Sequence, residues 1–173
     1  VITRPMIASS RYRILGILIL LSPWWITDYS SQYTIKTSEG NRGRVMELGL
    51  KGKKVILSGG SRGIGLAIVT KFLEEGAHVA FFARGQEGVD AAQESLSDKG
   101  VVYGAAVDAA DHAAVRKWVV QAASQLGGID IVVNNTSASA SVEWTTEAWR
   151  NSFEVDLMSA VTMSDAALPW LEK

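Results

Sequence analysis

A glycine-rich segment at residues 58–65 constrains the fold of this chain more than any other feature. It reads Ser-Gly-Gly-Ser-Arg-Gly-Ile-Gly, follows a short apolar run at residues 54–57 and opens a helical pattern at residues 64–75. Glycines let a backbone turn sharply and lie against a ligand, and the start of a helix offers unpaired N–H groups and a positive dipole end. A strand, a glycine turn and a helix in this order favour binding of a nucleotide pyrophosphate. The alternative is a glycine turn that only starts a helix.

The glycines are spaced Gly59-x3-Gly63-x-Gly65, which differs from the G-x-G-x-x-G pattern of other dinucleotide-binding turns. Residues within such a turn lie closest to the phosphates, so they are the first candidates for binding. These candidates are Gly59, Ser61, Arg62, Gly63, Ile64 and Gly65.

Apolar runs and amphipathic helical patterns alternate along residues 46–173. The runs predict strands at residues 54–57, 78–83, 101–107 and 129–133. The helical period predicts helices at residues 64–75 and 88–99, from Asp111 to Gly127, and at residues 146–171. In the first helix, an apolar stripe is expected to pack on the sheet. Its members are Ile64, Ile68 and Phe72, with Leu66, Val69 and Leu73 widening it. The alternation predicts an α/β fold, a doubly wound parallel sheet of the Rossmann type.

Composition and charge exclude several kinds of site. The 173 residues suffice for one domain with a core, and they include no cysteine. Without cysteine, no thiolate nucleophile is expected. The two histidines, His78 and His112, are far apart in the sequence, so no metal site is expected either. Residues 46–173 hold eleven lysines and arginines against sixteen acidic residues. This acidic balance gives no basic surface for nucleic acid.

Residues 1–45 differ from the rest of the chain. They hold six basic residues against two acidic ones, and an apolar run at residues 14–26 follows three arginines. That run is shorter than the roughly 20 residues that a membrane-spanning helix needs. Our hypothesis is that Met46 is the true start of a cytoplasmic protein and that residues 1–45 are upstream sequence without a fold. The alternative is a membrane-anchoring leader.

From Met46 onward the chain resembles the N-terminal two-thirds of a short-chain dehydrogenase/reductase. Four features follow in the order and spacing of that family. They are the glycine turn, Asp108 after the third strand, Asn134-Asn135-Thr136-Ser137 after the fourth, and a long helix containing Trp149 and Phe153-Glu154-Val155-Asp156-Leu157. The family usually has Asn-Asn-Ala-Gly after the fourth strand, so Thr136 and Ser137 place side chains where the family has little bulk.

The resemblance implies a nicotinamide cofactor and hydride transfer to or from a carbonyl or alcohol carbon. It places Asp108 at the adenine and the backbone after the fourth strand at a ribose, with one of the two asparagines tying neighbouring strands together. The further cofactor-site candidates are therefore Arg84, Asp108, Ala109, Asn134, Asn135 and Thr136. Residues 137–145 are expected to form one wall of the substrate pocket.

The charge after the second strand predicts which cofactor binds. Dinucleotide folds usually carry an acid there, which bonds the ribose 2′-hydroxyl and repels a 2′-phosphate. Here Ala83 is followed by Arg84, and Arg62 in the glycine turn can reach the same region. Arginine suits a dianionic phosphate, so NADP(H) is predicted over NAD(H). The alternative is that both arginines are solvated surface charges.

The family's catalytic tyrosine and the lysine four residues after it are absent from this sequence. The tyrosines are Tyr12, Tyr29, Tyr33 and Tyr103, and none has lysine at that spacing. We therefore assign no catalytic residue. The resemblance places the missing pair after the long helix, so the chain is expected to be a fragment with a C-terminally incomplete sheet. The alternatives are a non-catalytic remnant or nucleotide-binding module, and a membrane-anchored reductase of lipid-like ketones.

The long helix carries two further expectations. Asp156 stands where the family usually has asparagine, and it either substitutes in a proton relay or is simply a polar residue. By resemblance, the helix at residues 146–171 is expected to form a homo-oligomer interface, with Trp149 and Phe153 as candidate contacts.

Overall fold

A computed structural model describes residues 47–138 and 145–173 of the chain. The hypotheses on residues 1–45 and on Met46 as the start lie outside the described residues. So does most of the wall expected at residues 137–145, of which only Ser137, Ala138 and Thr145 are described.

Four parallel strands form one sheet in the described part of the chain. They are β1 (Lys54–Ser58), β2 (His78–Ala83), β3 (Val102–Ala106) and β4 (Ile131–Val133), in the order β3-β2-β1-β4. The intervening helices are α1 (Gly63–Glu74), α2 (Gln86–Leu96) and α3 (His112–Leu126). After β4 follow α4 (Thr146–Ser152), a π-helical segment (Phe153–Met158) and α5 (Ser159–Leu171). The predicted doubly wound parallel sheet is confirmed.

The strand order creates a crevice between β1 and β4. The chain moves outward from β1 to β2 and β3, and then returns to the other side of β1 for β4. Loops that leave β1 and β4 therefore diverge at the carboxyl ends of these two neighbouring strands. Ligands of open α/β sheets bind at such a switch point.

Both faces of the sheet are covered, which explains the apolar run in β2. Phe81 belongs to the core beneath α1 and α2, and Phe82 belongs to the core beneath α3 and α5. The ring of Phe82 meets that of Trp118 edge-on, with centroids 4.7 Å apart. The apolar face predicted for the third helix is confirmed, since all of its members are buried: Val115, Trp118, Val119, Ala122 and Leu126.

Several boundaries differ from the predictions. The second helix covers Gln86–Leu96 instead of residues 88–99, because Gly85 starts it and Ser97 ends it. β3 and β4 are also shorter than predicted. In the stripe predicted for α1, Val69 and Leu73 are buried as expected, whereas Ile64 is 67% exposed. The single helix predicted at residues 146–171 contains a π-helical segment.

Candidate cofactor-binding site

The glycine turn between β1 and α1 is closely packed at Gly65. Gly59 and Gly63 have φ values of 76° and 55°, a region that favours glycine. A Cβ atom on Gly65 would lie 1.9 Å from the carbonyl oxygen of Gly59 and 2.6 Å from Nδ2 of Asn135. The start of α1 therefore lies directly against the end of β1.

The first N–H groups of α1 are left open by the sequence. Arg62 is the N-cap residue, its side chain makes no capping hydrogen bond, and the first turn holds no acidic residue. Unpaired N–H groups at the positive end of a helix dipole form a binding site for an anion. This arrangement argues against the alternative that the turn only starts a helix.

Asn135 and Ser58 tie β4 to the glycine turn. Nδ2 of Asn135 donates hydrogen bonds to the carbonyl oxygens of Ser58, at 3.2 Å, and Gly59, at 3.0 Å. The Ser58 hydroxyl accepts from the N–H groups of Asn135, at 2.9 Å, and Thr136, at 3.1 Å. Asn135 is thus the asparagine that joins neighbouring strands. The role of Ser58 was missed, because its partners lie 77 and 78 residues away in the sequence.

Asn134 has different surroundings. Its Nδ2 donates to the hydroxyl of Ser164 on α5, at 3.1 Å. It does not line the groove at the carboxyl ends of the strands. The structure therefore brings the other predicted site residues together without this side chain.

A groove of about 640 Å³ lies at the carboxyl ends of the strands. Apart from Asn134, every predicted site residue lines it: Gly59, Ser61, Arg62, Gly63, Ile64, Gly65, Arg84, Asp108, Ala109, Asn135 and Thr136. The groove also includes residues that the sequence analysis did not single out, among them Gly88 of α2 and Asn151 and Val155 of the long helix. Asn151 and Val155 are four residues apart, but nothing in the sequence marks their face of the helix as the one that meets the groove.

Two exposed arginines line the groove. Arg84 follows β2, and Arg62 starts α1. Within residues 47–138 and 145–173, neither guanidinium forms a salt bridge. The next helix, α2, starts at Gly85 without a side-chain cap. Two cationic side chains and the start of α2 therefore belong to the lining of the groove.

Asp108 and Asp156 hold the loops that border the groove. Oδ1 of Asp108 accepts from the N–H of Ala110, at 3.0 Å, which shapes the turn between β3 and α3. Oδ1 of Asp156 accepts from the N–H of Ala138, at 2.6 Å, which ties the π-helical segment to the loop after β4. This bond gives Asp156 a structural partner, and its part in a proton relay stays a prediction.

The described part of the chain offers neither a metal site nor a membrane-spanning helix. Among the described residues, no group of three or more histidine and acidic side chains could hold a metal ion. No helix in that part is both long enough and apolar enough to span a bilayer.

Comparisons with known proteins agree with this geometry. The family model described as short chain dehydrogenase matches residues 53–173. Isoepoxydon dehydrogenase of Penicillium expansum is 39% identical over 133 residues, which are 75% of this chain and 51% of that protein. The uncharacterized oxidoreductase YvrD of Bacillus subtilis is 42% identical over 129 residues, which are 72% of this chain and 48% of that protein.

A solved structure shows the same fold. It is a short-chain dehydrogenase from Burkholderia cenocepacia in complex with NADP, with a TM-score of 0.65 and 31% identity. The match covers 70% of this chain and 52% of that one. The chain thus spans about half the length of the relatives it matches. Since the family model covers more than half of the sequence, this chain belongs to the short-chain dehydrogenase family.

Proposed function

We propose that this chain is the cofactor-binding part of an NADP(H)-dependent oxidoreductase. The observation that carries the proposal is the groove at the β1–β4 crevice, in which the glycine turn, two arginines and Asp108 meet. A nicotinamide bound there supplies or accepts a hydride, and the substrate class is a carbonyl compound or the corresponding alcohol.

The pyrophosphate is assigned to the start of α1. The open N–H groups after Arg62 attract an anion, and no acidic side chain in the first turn opposes it. The tight contact of Gly65 with Gly59 keeps this part of the groove free of side chains, so the backbone itself meets the phosphates.

The 2′-phosphate of NADP(H) is assigned to the end of the groove near Arg84. β2 ends at Ala83, so no carboxylate stands where it would repel the phosphate. Glu87 is the acidic residue in the first turn of α2, and it does not line the groove. Arg62 and Arg84 both do, and guanidinium groups suit phosphate oxygens.

Reversal of the charge at residue 84 tests this assignment. In Arg84→Asp, we expect NADPH to bind roughly tenfold or more weakly, because a charge-assisted hydrogen bond is lost and repulsion is added. We expect NADH binding to improve, since an acid can bond the ribose 2′-hydroxyl. Titration calorimetry with both cofactors gives the two dissociation constants.

The matched control is Lys117→Asp, which makes the same change of charge at an exposed position of α3 outside the groove. This control should keep the preference of the unmodified chain for NADPH. If Arg84→Asp keeps that preference too, the assignment of the 2′-phosphate is wrong.

A second candidate function is cofactor binding without turnover. It is favoured by the tyrosines, none of which is followed by lysine four residues later. The coding sequence downstream of residue 173 separates the two. A strand that ends in serine, followed by a tyrosine with a lysine four residues after it, supports the enzyme, whereas an early stop codon supports the module.

A further inference from the structure

Thr136 lines the groove, and its hydroxyl has no hydrogen-bond partner among the described residues. Its Oγ1 is buried, and no described residue pairs with it. The backbone around it is fixed, because the N–H of Thr136 donates to the Ser58 hydroxyl at 3.1 Å. Buried polar groups are rarely left unpaired, and each one that is calls for an explanation.

The Thr136 hydroxyl lies beside the glycine turn. A Cβ atom built on Gly59 would lie 3.3 Å from Oγ1 of Thr136, so the side chain packs directly against the first glycine of the cradle. The residue as a whole is only partly buried and lines the groove. A hydrogen bond from this buried hydroxyl to a ligand in the groove therefore requires rotation about the Cα–Cβ bond of Thr136.

The strand order indicates which part of a dinucleotide would meet Thr136. Arg84 and Asp108 follow β2 and β3, which lie on one side of β1. Thr136 follows β4, on the other side of β1. With the pyrophosphate at the glycine turn and the adenosine toward β2 and β3, the nicotinamide half lies toward β4.

We propose that the Thr136 hydroxyl is a cofactor ligand that hydrogen-bonds an oxygen of the nicotinamide half of NADP(H). This inference rests on the proposed function and adds to it a cofactor contact made by a side chain, that of Thr136. It also gives a role to the threonine that stands where the resemblance leads one to expect alanine.

Removal of the hydroxyl at constant shape tests the proposal. In the full chain, Thr136→Val should bind NADPH about tenfold more weakly, because one hydrogen bond to the cofactor is lost. Thr136→Ser keeps a hydroxyl and should bind within about twofold of the unmodified chain. Adenosine 2′,5′-bisphosphate, which lacks the nicotinamide half, should bind all three forms equally. Titration calorimetry measures each constant.

Thermal unfolding without ligand shows whether the substitution changes the stability of the chain as well as its affinity for NADPH. Because no residue in the described part of the chain pairs with the hydroxyl, Thr136→Val should unfold at the same temperature or higher. Loss of NADPH affinity without loss of stability distinguishes a ligand contact from a structural one. Thr136→Ala also removes the hydroxyl and should repeat the affinity loss if valine disturbs folding.

Two results overturn the inference. NADPH binding by Thr136→Val and Thr136→Ala equal to that of the unmodified chain shows that the hydroxyl makes no contact. A lower unfolding temperature with unchanged affinity shows a structural role. If the unmodified chain binds neither NADPH nor adenosine 2′,5′-bisphosphate, the proposed function itself fails, and this inference fails with it.

Discussion

Gly65 shows how strongly a single position can be constrained by its neighbours. The carbonyl oxygen of Gly59 lies 1.9 Å from where its Cβ would be, and backbone atoms cannot move aside as a flexible side chain can. The spacing of the glycines suggested that this position matters. The reason, close packing of helix on strand, is visible only when the distances are known.

Addition of one methyl group at this position should therefore be costly. We expect Gly65→Ala to lower the free energy of unfolding by on the order of 1–3 kcal/mol, because the overpacked turn must shift. Chemical denaturation of the full chain measures this change.

Gly88→Ala is the matched control for that substitution. Its Cβ would lie 3.6 Å from Oγ of Ser61, an ordinary contact, in the first turn of α2. Alanine has the higher helix propensity, so this variant should be up to about 1 kcal/mol more stable. Equal effects of the two substitutions would contradict the packing argument.

At the scale of elements, the π-helical segment explains a pattern that the helical period alone does not. Trp149, Phe153, Leu157 and Val161 are each at least 49% exposed. An α-helix has about 3.6 residues per turn, so three four-residue steps overshoot by about 120° in total. A π-helical turn is wider, so a four-residue step within it falls short of a full turn. The two deviations offset each other and help to keep the apolar stripe on one face.

This stripe is the interface that we propose for self-association. It is apolar and exposed in the monomer, and the opposite side of the same helical stretch is buried, as shown by Val155, Ser159, Met163 and Ala167. Contiguous exposed apolar surface of this kind marks interaction sites. A second copy of the chain presents the same stripe and so provides an apolar partner of equal length.

A charge at the centre of the stripe should prevent this association. We expect Leu157→Glu to sediment as a smaller species than the unmodified chain, because a carboxylate would be buried in the interface. Val120→Glu is the control, since Val120 is an equally exposed apolar residue, at 56%, on α3. A monomeric unmodified chain, or a Leu157→Glu variant that still associates, would refute the interface.

At the scale of the whole molecule, the groove joins loops from all four strands. Residues after β1, β2, β3 and β4 line it, as shown by Gly59, Arg84, Asp108 and Thr136. A ligand in the groove therefore contacts the fold at four places that are distant in sequence, and binding to the folded state alone stabilises that state.

NADPH should accordingly raise the unfolding temperature of the full chain. At about 100 times its dissociation constant, a ligand that binds only the folded state adds about 2.7 kcal/mol. NADH at the same concentration should give a smaller rise, because Arg62 and Arg84 have no 2′-phosphate to bind. A thermal-shift assay compares the two cofactors, and equal shifts would contradict the predicted preference.

Much of the fold could be predicted because its signals are local. The apolar runs, the helical stripes and the glycine turn depend on residues within a few positions of one another. They were sufficient for the four strands, the first three helices and the parallel sheet. The ends of the elements were less accurate, as the shift of α2 toward Gln86 shows, because a few competing turn contacts decide where a helix stops.

The sequence by itself determined the α/β alternation, the glycine turn, and the presence of Arg84 without an acid at the end of the second strand. Only the tertiary structure decided that Ser58 joins β1 to Asn135 and that Asn134 turns to Ser164. It also brought Val155 to the groove and left the Thr136 hydroxyl without a partner among residues 47–138 and 145–173. The physical reason is distance along the chain. Contacts between residues tens of positions apart depend on β1 and β4 being neighbours in the sheet, and no local pattern encodes that pairing.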